Sequence, residues 1–255
     1  MSDVHSAAAA GYAQGAETYA RGRPGFPPAA LEWLVNDLQI GPGKTVVELG
    51  AGTGKFTQLL MQTKADVIAV EPVAAMLARL SADFPAVRTL RASARNLPLA
   101  DASVDAVICA QSFHWFATRE ALAEIRRVLK PGGALGLIWN VRDQSVTWVA
   151  ELTKIMAPYE GDAPRYDNGE WRTVFPAPGY EPMQEKKFAH AHVGSAERVI
   201  VDRVASVSFI AALDETTRNE VLTKVRALID RTPSLANSSE VSAPYVTRAY
   251  WTVAR

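Results

Sequence analysis

The sequence predicts a doubly wound α/β fold, and three observations carry that expectation. From residue 44 onward, short β-branched runs alternate with segments of helical period. The runs are apolar throughout rather than at every second position, as in strands covered by helices on both faces. A glycine-rich turn, "GAGTG" at residues 50–54, follows the first of them. Strand, helix, strand in repetition builds a parallel sheet with helices on both sides.

Taken in order, "FPPAALEWLVNDLQI" reads as a helix. Pro27 and Pro28 stand at its start, Leu31, Leu34, Val35 and Leu38 lie on one face, and "GPG" from Gly41 to Gly43 ends it. The strands are then "KTVVEL", "DVIAVE", "VRTLRA", "VDAVICA" and "ALGLIWN", and the helices between them "GKFTQLLMQT", "VAAMLARLSADF" and "TREALAEIRRVLK". After the fifth strand the rhythm changes. "QSVTWVAELTKIMAPYEGDAPRYDNGEWRTVFPAPGY" holds a helix and then a loop of prolines, glycines and aromatics that is long for a connection inside a compact domain, so it is expected to be a lid or substrate-facing insertion. Trp148, Tyr159, Tyr166 and Trp171 there either line a pocket or, as the commoner outcome for any one of them, pack a small core of the lid's own. "MQEKKFAHAHV" then reads as a strand, "SAERVIVDRVAS" and "DETTRNEVLTKVRALIDR" as helices, and "YVTRAYWTVA" as a last strand.

A chain of 255 residues buries one substantial core, so one domain is expected. Lys plus Arg number 27 and Asp plus Glu 27, which leaves no net field to attract a polyanion or an anionic membrane. Neither nucleic acid nor a membrane is an expected partner. Arg79, Arg88, Arg91 and Arg95 are broken up by Asp83 and apolar residues and read as solvated surface. The single cysteine, Cys109, sits in an apolar run as a small buried hydrophobe, and no disulfide within the chain is possible. "MSDVHSAAAAGYAQGAE" has no basic start followed by an apolar stretch, and no run is long enough to cross a bilayer, so a cytoplasmic, reducing compartment is expected.

The glycine turn discriminates among ligands. A triphosphate loop needs glycine, four residues, then Gly-Lys and a hydroxyl residue. Here Leu49 stands at the first glycine and Phe56 at the hydroxyl. A dinucleotide turn has the spacing G-x-G-x-x-G/A; this one runs Gly50, Gly52, Gly54 with Lys55 at the third position, which disfavours NAD. Glu48 ends the first strand and Glu71 the second, about 20 residues beyond the glycines, where a carboxylate accepts from both hydroxyls of a ribose. Glu71 alone does not choose between cofactors that share an adenosine.

"VVELGAGTGKFT", "VIAVEP", "RASARNLPLADASVDAVICAQSFHWF" and "IRRVLKPGGALGLI", an ordered series over roughly residues 10 to 140, resemble the class I S-adenosylmethionine-dependent methyltransferases. "YARGRPGFP", "QSFHWF" and "WNVRD" are most similar to the small-molecule branch with ubiquinone-type and trans-aconitate-type members. The resemblance implies a Rossmann-like, mostly parallel sheet of about seven strands with an antiparallel last strand. It divides the single domain into a cofactor-closing segment (1–30), a cofactor-binding core (31–140), a substrate-facing insertion (141–190) and the remainder of the core (191–255). It implies that Tyr19 and Arg23 close over the methionine carboxylate and that Gly50, Gly52 and Gly54 admit the cofactor to the backbone. Glu71 would hold the ribose, Ser93, Ala94 and Arg95 would border adenine, and Glu48, Ala51, Pro72, Met76 and Gln111 complete the cofactor side. Many relatives carry an aspartate where Ser93 stands and a glutamate where Arg95 stands, so backbone groups are expected to take over adenine contacts here.

A sulfonium donor is already activated, so the protein has mainly to align an acceptor with the departing methyl. Aromatic faces favour a cation by about 0.5–2 kcal/mol, and Tyr12, Tyr19, Phe113, Trp115 and Phe116 supply them. His114, just past the fourth strand, is placed where open sheets bind ligands. With an ordinary pKa of ~6.5 it can take a proton from an oxygen or nitrogen acceptor; the alternative is a packing histidine beneath the lid. Trp115, Trp139, Asn140 and Arg142 lie at the same edge as acceptor-binding residues. Arg142 either meets a carboxylate of the acceptor or, more commonly in such pairs, Asp143. His5, His190 and His192 lack the spacing of a metal site, and no metal is expected. The expected activity is methyl transfer from S-adenosylmethionine to a small organic acceptor through oxygen or nitrogen, by a monomer or homodimer. A nicotinamide-dependent oxidoreductase and a non-catalytic cofactor-binding protein are the alternatives.

Overall fold

The computed structural model describes residues 22–255. One sheet holds seven strands: β1 (Thr45–Leu49), β2 (Asp66–Val70), β3 (Arg88–Leu90), β4 (Val104–Ala110), β5 (Leu129–Arg142), β6 (Gln184–Gly194) and β7 (Val241–Val253). Their order is β3-β2-β1-β4-β5-β7-β6. The first five pair in parallel, whereas β7 runs antiparallel to both β5 and β6. The expected doubly wound sheet with its antiparallel last strand is therefore present.

Helix α1 (Pro28–Glu32) precedes β1; α2 (Thr57–Gln62) joins β1 to β2, α3 (Ala74–Asp83) joins β2 to β3, and α4 (Arg119–Val128) joins β4 to β5. Thr118 caps α4, its hydroxyl oxygen accepting from the Ala121 N–H at 3.2 Å. Helix α5 (Thr147–Met156) lies in the segment after β5, and α6 (Glu215–Arg231) before β7 starts on an Asp214 cap.

Successive residues of a buried strand feed opposite layers. Val47, Leu49, Val107 and Cys109 pack with α4 and Trp139 in one cluster; Val46, Ala106 and Ile108 pack with α1 and α2 in the other. This explains the unbroken apolar runs. A third cluster lies under α5 and α6 and reaches Tyr245 of β7. Arg79, Arg88, Arg91 and Arg95 are exposed.

Two expectations need correction. The sequence places Val35 on one face with Leu31, Leu34 and Leu38, but the chain continues α1 as a π-turn over Trp33–Asp37, with the Leu38 N–H donating to the Trp33 carbonyl at 3.2 Å. The wider turn brings Trp33 inward beside Leu34 and Leu38 and leaves Val35 42% exposed. The insertion's aromatics do not form a core of their own either. Trp171 is buried in the main cluster with its ring 4.7 Å from that of Trp139, and the Tyr166 hydroxyl lies 2.7 Å from the Tyr250 hydroxyl on β7. Trp148 and Tyr159 pack against the third cluster.

β1 pairs with β2 on one side and β4 on the other, and the order reverses there because the chain crosses back from β3 at the edge to β4. The crevice at the carboxyl ends of β1 and β4 is where such sheets hold ligands. α1 approaches the sheet closely because β5 carries no side chain at Gly136, where a Cβ would stand 2.8 Å from Ile108 Cδ1, 2.9 Å from Leu38 Cδ1 and 3.0 Å from Trp33 Cη2. Gly136→Ala is expected to cost about 1–3 kcal/mol by overpacking, measured as a lowered midpoint in chemical denaturation; an unchanged midpoint would show that α1 is free to shift.

Candidate active site

Beyond Leu49 the chain leaves the sheet through Gly50, Gly52 and Gly54, all at positive φ. The Gly50 and Ala51 N–H groups both donate to the Val70 carbonyl, at 2.8 and 3.1 Å, which ties the turn to the end of β2. A Cβ at Gly50 would lie 2.6 Å from the Ser112 Cβ, so a side chain there would drive the turn off β4. At Gly52 a Cβ would meet nothing nearer than the Met76 sulfur at 3.9 Å, so the backbone there faces open space.

Glu71 closes this corner. Its Oε2 accepts from the Gly52 N–H at 2.9 Å and its Oε1 from the Val73 N–H at 2.9 Å. The side chain is buried, and burial raises its pKa while the two backbone donors oppose the rise. Each oxygen keeps further lone pairs for hydroxyl donors. Pro72 follows directly, and its carbonyl accepts from Arg91 Nε at 3.3 Å.

Glu48, at the end of β1, is more deeply enclosed, and the Thr57 hydroxyl donates to its Oε2 at 2.5 Å. Burial, reinforced by the charge of Glu71 and opposed by the Thr57 hydrogen bond, pushes its pKa up to about 8. Two neighbouring carboxyls thus sit in different surroundings: burial holds Glu48 toward its protonated form, while Glu71 is tied to two backbone donors that favour its charged form.

On the other side of the crevice, Gln111 leaves β4 in the left-handed region at φ 59°, held by its N–H to the Ile138 carbonyl at 2.8 Å. The Ser112 hydroxyl donates to the Leu49 carbonyl at 2.6 Å, joining the two loops. A 3₁₀ turn over Phe113–Trp115 then places His114 and Trp115 on the wall of a cavity of about 120 Å³. Trp139, Asn140 and Arg142 line it from β5, Arg165 and Tyr166 from the insertion, and Arg203 from the helical segment before α6. A second cavity of about 40 Å³ over the glycine turn is lined by Glu48, Gly50, Ala51 and Lys55, and shares Arg23, Gln111 and Arg203 with the first.

Within the larger cavity the Trp139 indole donates through Nε1 to His114 Nδ1 at 3.1 Å. Burial and the nearby Arg23 guanidinium hold the His114 imidazole at a pKa of about 3. Asn140 is spent on structure: its Nδ2 donates to the Gly25 carbonyl at 2.7 Å and its Oδ1 accepts from the Thr247 hydroxyl at 2.6 Å. Arg142 does not pair with Asp143, contrary to the commoner expectation. Its Nη2 contacts the Met156 sulfur at 3.6 Å, while Asp143 accepts from the Ser145 N–H and hydroxyl.

The structure therefore brings Arg23, Glu48, the glycine turn, Glu71, Met76, Gln111, His114, Trp115, Trp139, Asn140 and Arg142 to one edge of the sheet. Ser93, Ala94 and Arg95 line neither cavity: Ser93 forms an isolated bridge with Asn96, and Arg95 is exposed. Tyr19 and Tyr12 lie outside the described residues. Arg165 and Arg203 were not anticipated. Arg203 had a legible signal, a single cation within the apolar stretch "VIVDRVASVSFIA", whereas nothing local marks Arg165. Among the described residues no cluster of three His, Cys, Asp or Glu could hold a metal ion, and no helix is long and apolar enough to cross a membrane.

A family profile described as "Methyltransferase domain" matches residues 47–137. The chain is 36% identical to an uncharacterised methyltransferase-like protein of Schizosaccharomyces pombe over 91% of each chain. It is 40% identical to an uncharacterised methyltransferase of Mycobacterium tuberculosis over 90% of this chain and 89% of that one. Among solved structures it is similar to a candidate type II methyltransferase of Anaeromyxobacter dehalogenans, with a TM-score of 0.67, 23% identity, and coverage of 91% of this chain and 97% of that one.

The enclosed Glu48 makes stability depend on pH. Its folded pKa lies above the unfolded value of 4.5, so the folded state binds the proton more tightly. The associated stability is fully present below about pH 4.5 and is lost as pH rises to about 8, at up to ~1.4 kcal/mol per pH unit. Denaturation midpoints should fall between pH 5 and 8 and flatten in Glu48→Gln; a wild-type profile with no such decline would contradict the assignment.

Proposed function

Because this chain belongs to the class I methyltransferases, we propose that it moves a methyl group from S-adenosylmethionine to a small organic acceptor seated in the cavity of His114. The observation that carries the cofactor assignment is the Glu71 corner: a buried carboxyl group, fixed by two backbone N–H groups, beside a glycine with open space where a side chain would stand. This donor set fits a ribose, whose paired hydroxyls a carboxylate accepts from. The G-x-G-x-G spacing favours the sulfonium cofactor over a dinucleotide.

When bound, S-adenosylmethionine supplies a methyl group on a positively charged sulfur, which becomes a neutral thioether as the acceptor's bond to carbon forms. The protein's share is placement and exclusion of water. Glu71 and the Gly52 backbone would hold the nucleoside end. Arg23 would meet the methionine carboxylate, its guanidinium anchored by donation from Nη2 to the Ser206 carbonyl at 2.9 Å. Gln111, shared by both cavities, marks the passage from cofactor to acceptor. The space over the turn, about 40 Å³, is far below the ~300–1,000 Å³ of a small-molecule site, so the wall formed by Arg23 and Phe26 would swing outward on loading. Trp115 and Tyr166 line the acceptor side. The cavity of about 120 Å³ supports a small acceptor, for which oxygen or nitrogen is the proposed methylated atom.

Loss of a charged partner to hydroxyl donors costs about 1.5–3 kcal/mol, so Glu71→Ala should weaken S-adenosylmethionine and S-adenosylhomocysteine by about 10- to 100-fold in titration calorimetry. Unchanged affinity would remove the ribose assignment.

A further inference from the structure

We propose that His190 and Asn140 form a latch on cofactor entry: both hold the Gly25 carbonyl, and with it the strap of residues 22–26, in a closed position that the cofactor has to displace. This rests on the proposed cofactor site and concerns how that site is reached.

The two donors come from strands on either side of β7. Asn140 of β5 stands opposite Thr247, and His190 of β6 stands opposite Tyr245. Residues two apart on a strand share a face, so both side chains leave the same face of the sheet, astride β7. Asn140 Nδ2 donates to the Gly25 carbonyl at 2.7 Å, and His190 Nε2 lies 3.0 Å from the same oxygen. A carbonyl only accepts, so His190 carries a hydrogen on Nε2, and both lone pairs of the Gly25 oxygen are engaged. The Asn140 amide is fixed in its donating orientation because its Oδ1 accepts from the Thr247 hydroxyl at 2.6 Å.

Little else ties the middle of the strap to the sheet. Pro24, Pro27 and Pro28 bring no N–H, and among the described residues no backbone hydrogen bond joins residues 23–26 to a strand. The Phe26 ring meets Phe56 edge-on, with 4.7 Å between ring centres. The ends of the strap are firmer. At Gly22 a Cβ would stand 2.5 Å from the Asp202 carbonyl oxygen, so two backbones touch there, and Pro28 opens α1, whose Ala30 is buried. Between these ends Gly25 is exposed, and among the described residues nothing lies within 4 Å of where its Cβ would stand.

Strap and cofactor compete for one space. Arg23, Pro24 and Phe26 wall the cavity over the glycine turn, which in the latched form amounts to about 40 Å³. Entry of a methionine chain moves this wall outward and draws the Gly25 carbonyl off both donors. Only the unlatched form then takes the cofactor, so apparent affinity and association rate scale with the population of that form. His190 lines neither cavity. Loss of a contact residue weakens binding, whereas loss of a latch residue strengthens it, and the sign separates the two roles.

Stopped-flow and calorimetric titration with S-adenosylhomocysteine read that sign. His190→Ala removes one donor from a half-buried position on the edge strand. It should speed association about three- to tenfold and lower Kd by a similar factor. His190→Gln, which keeps an N–H, should behave as the wild type. Asn140→Asp keeps an acceptor for Thr247 but sets an oxygen against the Gly25 carbonyl, and should act in the same direction as His190→Ala. With 4-fluorophenylalanine incorporated at position 26, the ¹⁹F spectrum of the ligand-free protein should show a minor signal that grows in His190→Ala and dominates on adding S-adenosylhomocysteine. Unchanged, slower or weaker binding in His190→Ala overturns the latch, as does equal acceleration in His190→Gln or a fluorine spectrum that His190→Ala leaves unaltered. If neither the wild type nor the variants bind S-adenosylhomocysteine, the cofactor reading fails, and the latch stands or falls on the fluorine signals of the ligand-free proteins.

Discussion

The site depends on one carboxylate that gathers two stretches of backbone. Glu71 reaches from the end of β2 to the Gly52 N–H and back to the Val73 N–H. Both donors sit at the carboxyl edge of the sheet, where no ladder partner remains to them, and a buried unpaired N–H costs about 1–3 kcal/mol. The carboxylate satisfies both and so fixes the distance between the glycine turn and the start of α3. Glu48 cannot share this role: desolvated at the end of β1 and close to the charge of Glu71, it is held near neutrality. A turn without side chains beside a preset acceptor is fixed before any ligand arrives, and under the proposed function that lowers the ordering cost of binding a ribose.

The opposite wall is fixed by aromatics. Trp139 on β5 stands among Trp171, Tyr166 and Tyr250, and the Arg172 guanidinium lies 4.6 Å from the ring centre of Trp171 and 4.7 Å from that of Tyr250. This stack joins the insertion to the antiparallel strand, and through the indole N–H it sets the tautomer of His114. The wall at the glycine turn is built largely from backbone and the wall of the larger cavity from side chains.

The parts of the fold legible in the sequence are those governed by local rules. β1, β2 and β4 announce themselves because a strand covered on both faces must be apolar at every position, and the positive φ of Gly50, Gly52 and Gly54 is a demand that residue type alone reveals. Glu71 was legible because its distance from the turn follows from one helix and one strand. What was not legible depends on contacts distant in sequence or on departures from the standard period. Val35 points outward because an i→i+5 turn rotates it away, which a 3.6-residue period does not anticipate. Trp171 joins Trp139 across the insertion, and Arg142 turns to the Met156 sulfur rather than to its neighbour Asp143. The place of His114 beyond β4 was legible, but not the hydrogen bond it accepts from Trp139, which lies on another strand.

The central claim, that this sheet edge holds S-adenosylmethionine with its ribose on Glu71 and its sulfur toward His114, is tested most directly by a crystal structure of the protein grown with S-adenosylhomocysteine. Both ribose hydroxyls should lie within hydrogen-bond distance of the Glu71 carboxylate, with the thioether sulfur facing the cavity past Gln111. Density for the ligand elsewhere, or an edge that stays unaltered with S-adenosylhomocysteine yet takes up a nicotinamide dinucleotide in a parallel soak, would contradict the account.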